Sequence, residues 1–151
     1  MKLTPLWLAI CLVGGVWAAC QSNQQATADQ QQPASTVKVC YAYLSASDTV
    51  QLTLVKNDTV MTGELLYQLA EKDRNSGTLT GRMRGDTLIA TYKFQSEGVE
   101  SEREVAFLLQ DNKAIEGFGP VVERAGKMLF VPSSRLTFTD NRPLGKVACT
   151  E

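Results

Sequence analysis

Alternation of apolar and polar residues runs through most of this chain from Val37 onward. In one segment Leu88, Ala90, Tyr92 and Phe94 alternate with threonine, lysine and glutamine residues. Successive side chains of a β-strand point to opposite faces, so a period of two indicates strands with one dry face and one wet face. Several such strands must close or stack to hide their apolar faces. The pattern therefore predicts an all-β domain of about eight or nine antiparallel strands.

Short turn sequences separate these apolar runs. Hairpins are predicted at residues 56–59 and 84–87, where Asn57 or Asp58 and Gly85 can adopt left-handed backbone angles. Two further turns and two longer connections are predicted at residues 111–113, 124–127, 71–76 and 96–102. This hairpin spacing favours an antiparallel meander that closes into a small lipocalin-like barrel, and a two-sheet β-sandwich is the alternative.

Five glycines fall within or beside the predicted strands: Gly63, Gly77, Gly81, Gly117 and Gly119. Glycine weakens the interior of a strand unless something is gained. We expect these glycines to permit the sharp bends of a small barrel, rather than close approach of a ligand to the backbone.

The first twenty residues indicate export. A basic start at Lys2 is followed by a short apolar stretch and then by Ala18, Ala19 and Cys20. This is the pattern of a cleaved export signal, and the segment is short for a membrane span. A cysteine at the junction resembles the lipobox of bacterial lipoproteins, in which the first mature residue is a lipid-modified cysteine, although Trp17 stands where that motif usually has an aliphatic residue. The rival interpretation is an ordinary signal peptide cut after Ala18.

The number of cysteines favours the lipoprotein interpretation. The chain has four cysteines, and Cys11 lies in the segment that is removed on either interpretation. If Cys20 carries lipid, Cys40 and Cys149 remain and are predicted to form a disulfide, as expected of an exported protein. The alternative is a pair of buried thiols.

These features predict three segments. Residues 1–19 are a lipoprotein signal peptide, residues 20–36 are a polar tether that cannot bury an apolar face, and residues 37–151 are the β-barrel-like domain. Gln21 carries no charge that would retain a lipoprotein at the inner membrane. By analogy with the sorting rules of some bacteria, the outer membrane is favoured.

Charge and composition exclude several classes of function. Without Lys2 the chain has 14 basic and 16 acidic residues, a net charge near −2, which gives no reason to expect nucleic acid as a partner. The chain contains no histidine, which removes the commonest general base and the commonest zinc ligand. We therefore expect no catalysis, no metal centre and no cofactor.

One segment, residues 94–104, concentrates charge. Its candidate binding residues are Ser96, Glu97, Ser101, Arg103 and Glu104. Arg103 offers a guanidinium for a carboxylate or phosphate of a ligand, flanked by two hydroxyls.

Two other interpretations of the segment stay open. In one, the oxygens of Glu97, Glu100 and Glu102 bind a hard cation such as calcium, although their spacing fits no calcium-loop pattern. In the other, the segment is a solvated loop whose charges keep a sheet edge from pairing.

A family resemblance rests on the same part of the chain. The segments at residues 77–81 (Gly-Thr-Leu-Thr-Gly), 85–90 (Gly-Asp-Thr-Leu-Ile-Ala) and 96–104 look like those of small, functionally uncharacterised bacterial lipoproteins. The similarity covers roughly residues 40–119. It implies an envelope lipoprotein with a β-barrel-like domain and brings no activity with it.

The expected function is a binding or interaction module that is tethered to the membrane through its N-terminal lipid. One alternative is a lipocalin-like carrier of a small apolar ligand, and another is an inhibitor or chaperone of a different envelope protein. A carrier needs internal space, and the predicted barrel lining is bulky. That lining comprises Leu52, Leu54, Leu65, Tyr67, Leu79, Met83, Tyr92 and Phe107.

Overall fold

A computed structural model describes residues 36–150, and all regular secondary structure in that range is β-strand. The strands are β1 (Val37–Leu44), β2 (Thr49–Asn57), β3 (Val60–Gln68), β4 (Asn75–Arg84), β5 (Thr87–Ser96), β6 (Val99–Gln110), β7 (Lys113–Phe118), β8 (Val121–Arg124), β9 (Lys127–Phe130), β10 (Thr137–Phe138) and β11 (Leu144–Val147). Across these residues, the structure contains no helix with the length and apolarity to cross a lipid bilayer.

Eight of the strands close into an antiparallel barrel. Strands β1 to β6 pair in sequence order, β7 pairs with β6, and β11 joins β7 to β1. Pairing around the ring is complete near one rim, and the inward apolar faces of the strands share one interior. The predicted meander and its closure into a small lipocalin-like barrel are confirmed, and the β-sandwich is not the arrangement found.

Three short strands outside the ring were not expected. Strands β8 and β9 form a hairpin, and β9 runs parallel to β6 through Lys127 and Met128. Strand β10 pairs with the end of β7. The predicted count and the all-antiparallel pairing are therefore wrong in this region, because strands of two to four residues are too short to display alternation.

The barrel centre is filled by side chains of alternating residues. The largest fully buried side chains are Tyr92, Phe107, Leu52, Leu54, Leu65, Leu79, Leu88 and Leu144. Of the predicted lining residues, Met83 alone is exposed, because β4 ends one residue later at a turn. Alternation thus places one dry face of each long strand inward, as predicted.

The turns have the predicted chemistry. Asp58 and Gly85 adopt left-handed φ angles of 57° and 60° in the β2–β3 and β4–β5 turns. Asp111 and Asn112 do the same between β6 and β7, with φ of 50° and 60°. Left-handed backbone angles match the twist of the flanking strands, which is why these short turns fix the register.

The two rims of the barrel differ. The lower rim carries three tight turns, at residues 58–59, 85–86 and 111–112. The upper rim carries the connections at residues 45–48, 69–74 and 97–98. Val37 begins β1 at the lower rim, opposite Lys56.

Two glycines let neighbouring strands approach very closely. A Cβ on Gly63 would overlap the backbone oxygen of Thr53, and a Cβ on Gly77 would overlap that of Lys93. Such close approach accompanies the strong coiling that a small barrel needs, and the role of these glycines in bending stays a prediction.

A disulfide joins β1, the first strand of the ring, to the residues directly after β11, the last strand. The Cα atoms of Cys40 and Cys149 are 5.3 Å apart, and the two residues are separated by 109 positions in the chain. Cys40 lies opposite Val147, so the bond reinforces the β1–β11 pairing that closes the barrel. The predicted disulfide is confirmed. The predicted signal peptide, Cys20 and residues 20–35 of the tether lie outside the described residues.

Candidate functional site

The charged segment that the sequence singles out forms a tight hairpin and not a loop. Strand β5 continues to Ser96 and β6 begins at Val99, with only Glu97 and Gly98 between them. Both turn residues adopt left-handed angles, φ 49° and 79°. The expected connection over residues 96–102 is wrong, because the charges there occupy alternate positions of a strand and do not interrupt it.

The hairpin distributes its candidate residues between the two faces of the sheet. Arg103 is opposite Tyr92 and Ser101 is opposite Phe94, so both side chains share the inward face. By the same alternation Ser96 follows Phe94 on that face. Glu104 lies on the outward face, and Glu97 is exposed in the turn. The structure therefore places Ser96, Ser101 and Arg103 on one face and separates them from the two glutamates.

The Arg103 guanidinium lies against three aromatic rings inside the upper half of the barrel. Its Cζ atom is 5.3 Å from the ring centroid of Tyr67, 5.6 Å from that of Tyr92 and 5.3 Å from that of Phe94. We call these three rings the aromatic cluster. Tyr92 and Phe94 stack at 4.7 Å, and Tyr67 meets Tyr92 edge-on at 6.1 Å. Cation–π attraction of this kind contributes about 0.5–2 kcal/mol, more when the cation is desolvated.

The guanidinium has no hydrogen-bond acceptor among the described residues. Its Nε atom is buried and unpartnered, and no ion pair within residues 36–150 includes Arg103. Buried arginine side chains are normally paired, since an unpaired buried charge costs free energy. Arg103 is therefore a cation held in place by rings, with donors left over.

A carboxylate lies near this cation. Tyr67 Oη donates a hydrogen bond to Glu116 Oε1 at 2.6 Å. Burial raises the pKa of Glu116, while the Tyr67 hydrogen bond and the charges of Arg103 and Arg142 act in the opposite direction. Burial likewise raises the pKa of Tyr67 well above its usual value, and the charge of Glu116 adds to that shift.

Tyr92 is held by the strand next to it. Its Oη donates a hydrogen bond to the carbonyl oxygen of Leu65 at 3.0 Å. Burial raises the pKa of Tyr92 to about 12, against the opposing charge of Arg103. The Tyr92 hydroxyl is therefore neutral and fixed, and the ring that faces Arg103 is fixed with it.

The barrel wall opens beside Arg103. Direct pairing of β6 with β7 ends at Ala106 and Gly117. Above that point β6 pairs with β9, whereas β7 pairs with β10, so the two strands part. Between them lies a cleft of about 250 Å³, which we call the side cleft. Its base includes Arg103 and Glu116, and its walls include Phe118, Val121, Met128 and Phe130.

The outward glutamates of β6 hold the β8–β9 hairpin in position. Glu102 lies between two lysines, with oxygens 2.6 Å from Lys127 Nζ and 4.0 Å from Lys93 Nζ. Glu104 Oε2 accepts a hydrogen bond from the backbone N–H of Phe130 at 2.8 Å. Glu102 and Glu104 thus hold β9 beside β6, and Glu104 also lines the side cleft.

The proposed cation ligands do not converge. Glu102 is engaged by lysines, while Glu97 and Glu100 are exposed at the tip of the hairpin. Among residues 36–150, no group of three or more histidine, cysteine, aspartate or glutamate side chains has the geometry to hold a metal ion.

Glu116 and the side cleft were missed by sequence reasoning. Strand β7 has only six residues and is buried on both faces, so Glu116 interrupts no visible alternation. For Arg103 a signal did exist, because Ser101, Arg103, Val105 and Phe107 share one face of β6. An arginine in register with two core residues predicts a buried cation.

Comparisons with known proteins identify no relative of this chain. No family model matches the chain, and searches of curated proteins and of solved structures give no significant match.

Proposed function

We propose that this protein is a lipid-anchored binding module of the bacterial cell envelope, with no catalytic activity, whose side cleft takes a small ligand that carries an anionic group. One observation carries the ligand-binding part of the proposal. Arg103 is a partly buried cation with a buried, unpartnered Nε, and it lines the base of an open cleft. Pockets with apolar walls and a few fixed polar groups are the usual form of small-molecule sites.

The anchoring part of the proposal rests on the sequence. The basic start at Lys2, the apolar stretch after it and Cys20 at the junction support acylation of Cys20, and Gln21 favours the outer membrane. The paired Cys40 and Cys149 fit an oxidising compartment such as the envelope.

The position of the cleft suits a tethered protein. The chain enters the barrel at the lower rim through Val37, and Arg103 lies in the upper half of β6. The point where the chain enters the barrel and the cleft therefore lie toward opposite ends of the described domain, so attachment through the residues before Val37 would leave the cleft accessible.

The filled barrel centre argues against a carrier that encloses an apolar ligand in the middle of the barrel. Leu52, Leu65 and Leu79 are almost completely inaccessible there. Close-packed side chains leave no room for a guest without rearrangement. The side cleft is the better location for a ligand.

A protein partner is the second candidate. The outer edge of β8 is unpaired in the described part of the chain. Three large apolar side chains near it are exposed, Phe118 by 51%, Val121 by 47% and Met128 by 40%. An exposed edge with apolar neighbours fits strand addition by another envelope protein, which is the form that an inhibitor or chaperone role would take.

The anchor is tested by mass measurement of protein purified from the cells that produce it. Acylation of Cys20 is expected, together with a mass that corresponds to an oxidised Cys40–Cys149 pair. An unacylated N-terminus with three reactive sulfhydryls would contradict the anchor.

The binding site is tested by native mass spectrometry of the same material. Wild-type protein is expected to retain a small molecule that Arg103→Gln loses. Arg82→Gln is the matched control, since Arg82 is exposed on β4 away from the cleft. Equal retention in all three proteins, or no Arg103-dependent binding of any anion, would contradict the proposed site.

A further inference from the structure

We infer that the ligand of the side cleft is a small amphipathic monocarboxylate, with its carboxylate on the Arg103 guanidinium and its apolar part along the walls formed by Phe118, Val121 and Met128. This inference rests on the proposed function and narrows it to one chemical class. Three properties of the cleft carry it: the form of the free donors, the charge beside them and the character of the walls.

The donors favour a carboxylate. A guanidinium is planar and has five N–H donors in its plane, and it pairs with a carboxylate through two parallel hydrogen bonds. The aromatic cluster contacts Arg103 through its rings and accepts no hydrogen bond from it. The guanidinium donors therefore have no acceptor among the described residues, and Arg103 lines the cleft.

The neighbouring charges limit the ligand to one negative charge. Glu116 and Arg103 line the same cleft, and the positive charges of Arg103 and Arg142 act to lower the pKa of Glu116. A second carboxylate, Glu104, lines the cleft wall and accepts the Phe130 N–H. The cleft is lined by one cation and two carboxylates, with Arg142 outside it but near Glu116, so there is no net positive charge to attract a dianion, and like charges at short range repel. A single carboxylate satisfies Arg103 without adding a second negative charge beside Glu116.

The walls require an apolar part on the ligand. Four of the lining residues are Phe118, Val121, Met128 and Phe130, and the first three are exposed. Each methylene that leaves water in contact with such walls strengthens binding by about fourfold, from about 0.8 kcal/mol per buried CH₂. Affinity is therefore expected to rise along butanoate, hexanoate and octanoate, and to level off once the chain outgrows the cleft.

The test uses the acylated full-length protein in nanodiscs of neutral lipid, titrated by calorimetry with octanoate, octyl phosphate, octanol and octylamine. Partitioning of each probe into the lipid is subtracted with nanodiscs that carry no protein. Octanoate is expected to bind more tightly than octyl phosphate. Octanol and octylamine are expected to show no binding that depends on Arg103.

Variants assign each contribution. Arg103→Gln is expected to weaken octanoate binding by at least about tenfold, and Arg103→Lys by less, because a charge remains but the two-pronged geometry is lost. Glu116→Gln is expected to tighten octyl phosphate more than octanoate. Met128→Glu places a charge on a wall residue that is 40% exposed, and it is expected to remove the dependence on chain length.

The outcomes separate the two proposals. If octyl phosphate binds wild-type protein as tightly as octanoate, or if affinity does not depend on chain length, the monocarboxylate inference is overturned. The proposal of an anion-binding cleft is not affected by either result. Binding of neither anion in an Arg103-dependent way would overturn both. Should Arg103→Gln fail to fold, Met128→Glu and Glu116→Gln decide the question. Unchanged octanoate binding by Met128→Glu would overturn the inference. An unchanged ratio of the affinities for octanoate and octyl phosphate in Glu116→Gln would overturn it as well.

Discussion

Removal of the Cys40–Cys149 bond is expected to lower the stability of the barrel substantially. The two cysteines are 109 positions apart, so the bond restricts most of the unfolded chain of the domain. The chain-entropy model gives a loss of roughly 5 kcal/mol for a loop of this length, and removal of native disulfides from small exported domains typically costs about 2–5 kcal/mol. Closure without the bond rests on only three β1–β11 residue pairs.

This loss translates into a large change in melting temperature. The unfolding entropy of the described domain, residues 36–150, is roughly 240 cal/mol/K at about 2.1 cal/mol/K per residue. A loss of 2–5 kcal/mol then lowers the melting temperature by about 8–20 °C. The slope of unfolding free energy against urea is expected to rise as well, because an unfolded chain without the cross-link exposes more surface.

The assay compares wild-type protein with the double variant Cys40→Ala, Cys149→Ala by thermal and urea unfolding, followed by circular dichroism. Reductant is expected to bring wild-type protein close to the variant and to leave the variant unchanged. A loss below about 1 kcal/mol with an unchanged urea slope would refute the reasoning, because it would show that the unfolded chain is not restricted by the bond.

Three further perturbations address the interior. Tyr67→Phe removes a hydrogen bond to the Glu116 carboxylate and is expected to cost about 1.5–3 kcal/mol of unfolding free energy at neutral pH. Tyr92→Phe loses a hydrogen bond to a neutral carbonyl and is expected to cost about 1 kcal/mol. Urea unfolding measures both losses, and a larger loss for Tyr92→Phe would contradict the prediction. The pKa of Glu116 is raised above 4.5, so its buried charge opposes folding at neutral pH. Glu116→Gln is therefore expected to stabilise at neutral pH, with a gain that vanishes as the pH falls through that raised pKa toward 4.5, and a gain independent of pH would argue against this origin. Gly63→Ala forces a Cβ onto a neighbouring backbone oxygen and is expected to cost about 1–3 kcal/mol, whereas Gly145→Ala meets open space, so equal melting temperatures for the two variants would be unexpected.

The general form of the fold was predictable from local patterns. Alternation of the kind seen at Leu88, Ala90 and Tyr92 assigns each strand and its dry face, and turn residues such as Gly85 place the hairpins. A pair of cysteines at the ends of the domain indicates where the barrel closes. Each of these features depends on neighbouring residues or on one pair of residues, so it can be recognised in a single sequence.

The site was only partly predictable because it depends on which strands part. Arg103 was singled out for its charge, but its position inside the barrel follows from its register with Val105, which the density of charges around it obscured. The side cleft exists because β6 and β7 exchange partners above Ala106, and no local pattern encodes that exchange. Glu116 joins the site through the same long-range pairing.

The adjacency of β1 and β11 also bears on how such a barrel can be reused. These two strands are antiparallel neighbours, and the Cα atoms of Cys40 and Cys149 are only 5.3 Å apart. Domains whose chain ends lie side by side tolerate circular permutation and insertion into surface loops of other proteins. This barrel is therefore suited to insertion into a host protein through its own adjacent ends. It is equally suited to circular permutation, with new termini at the Asp111–Asn112 turn on the same rim.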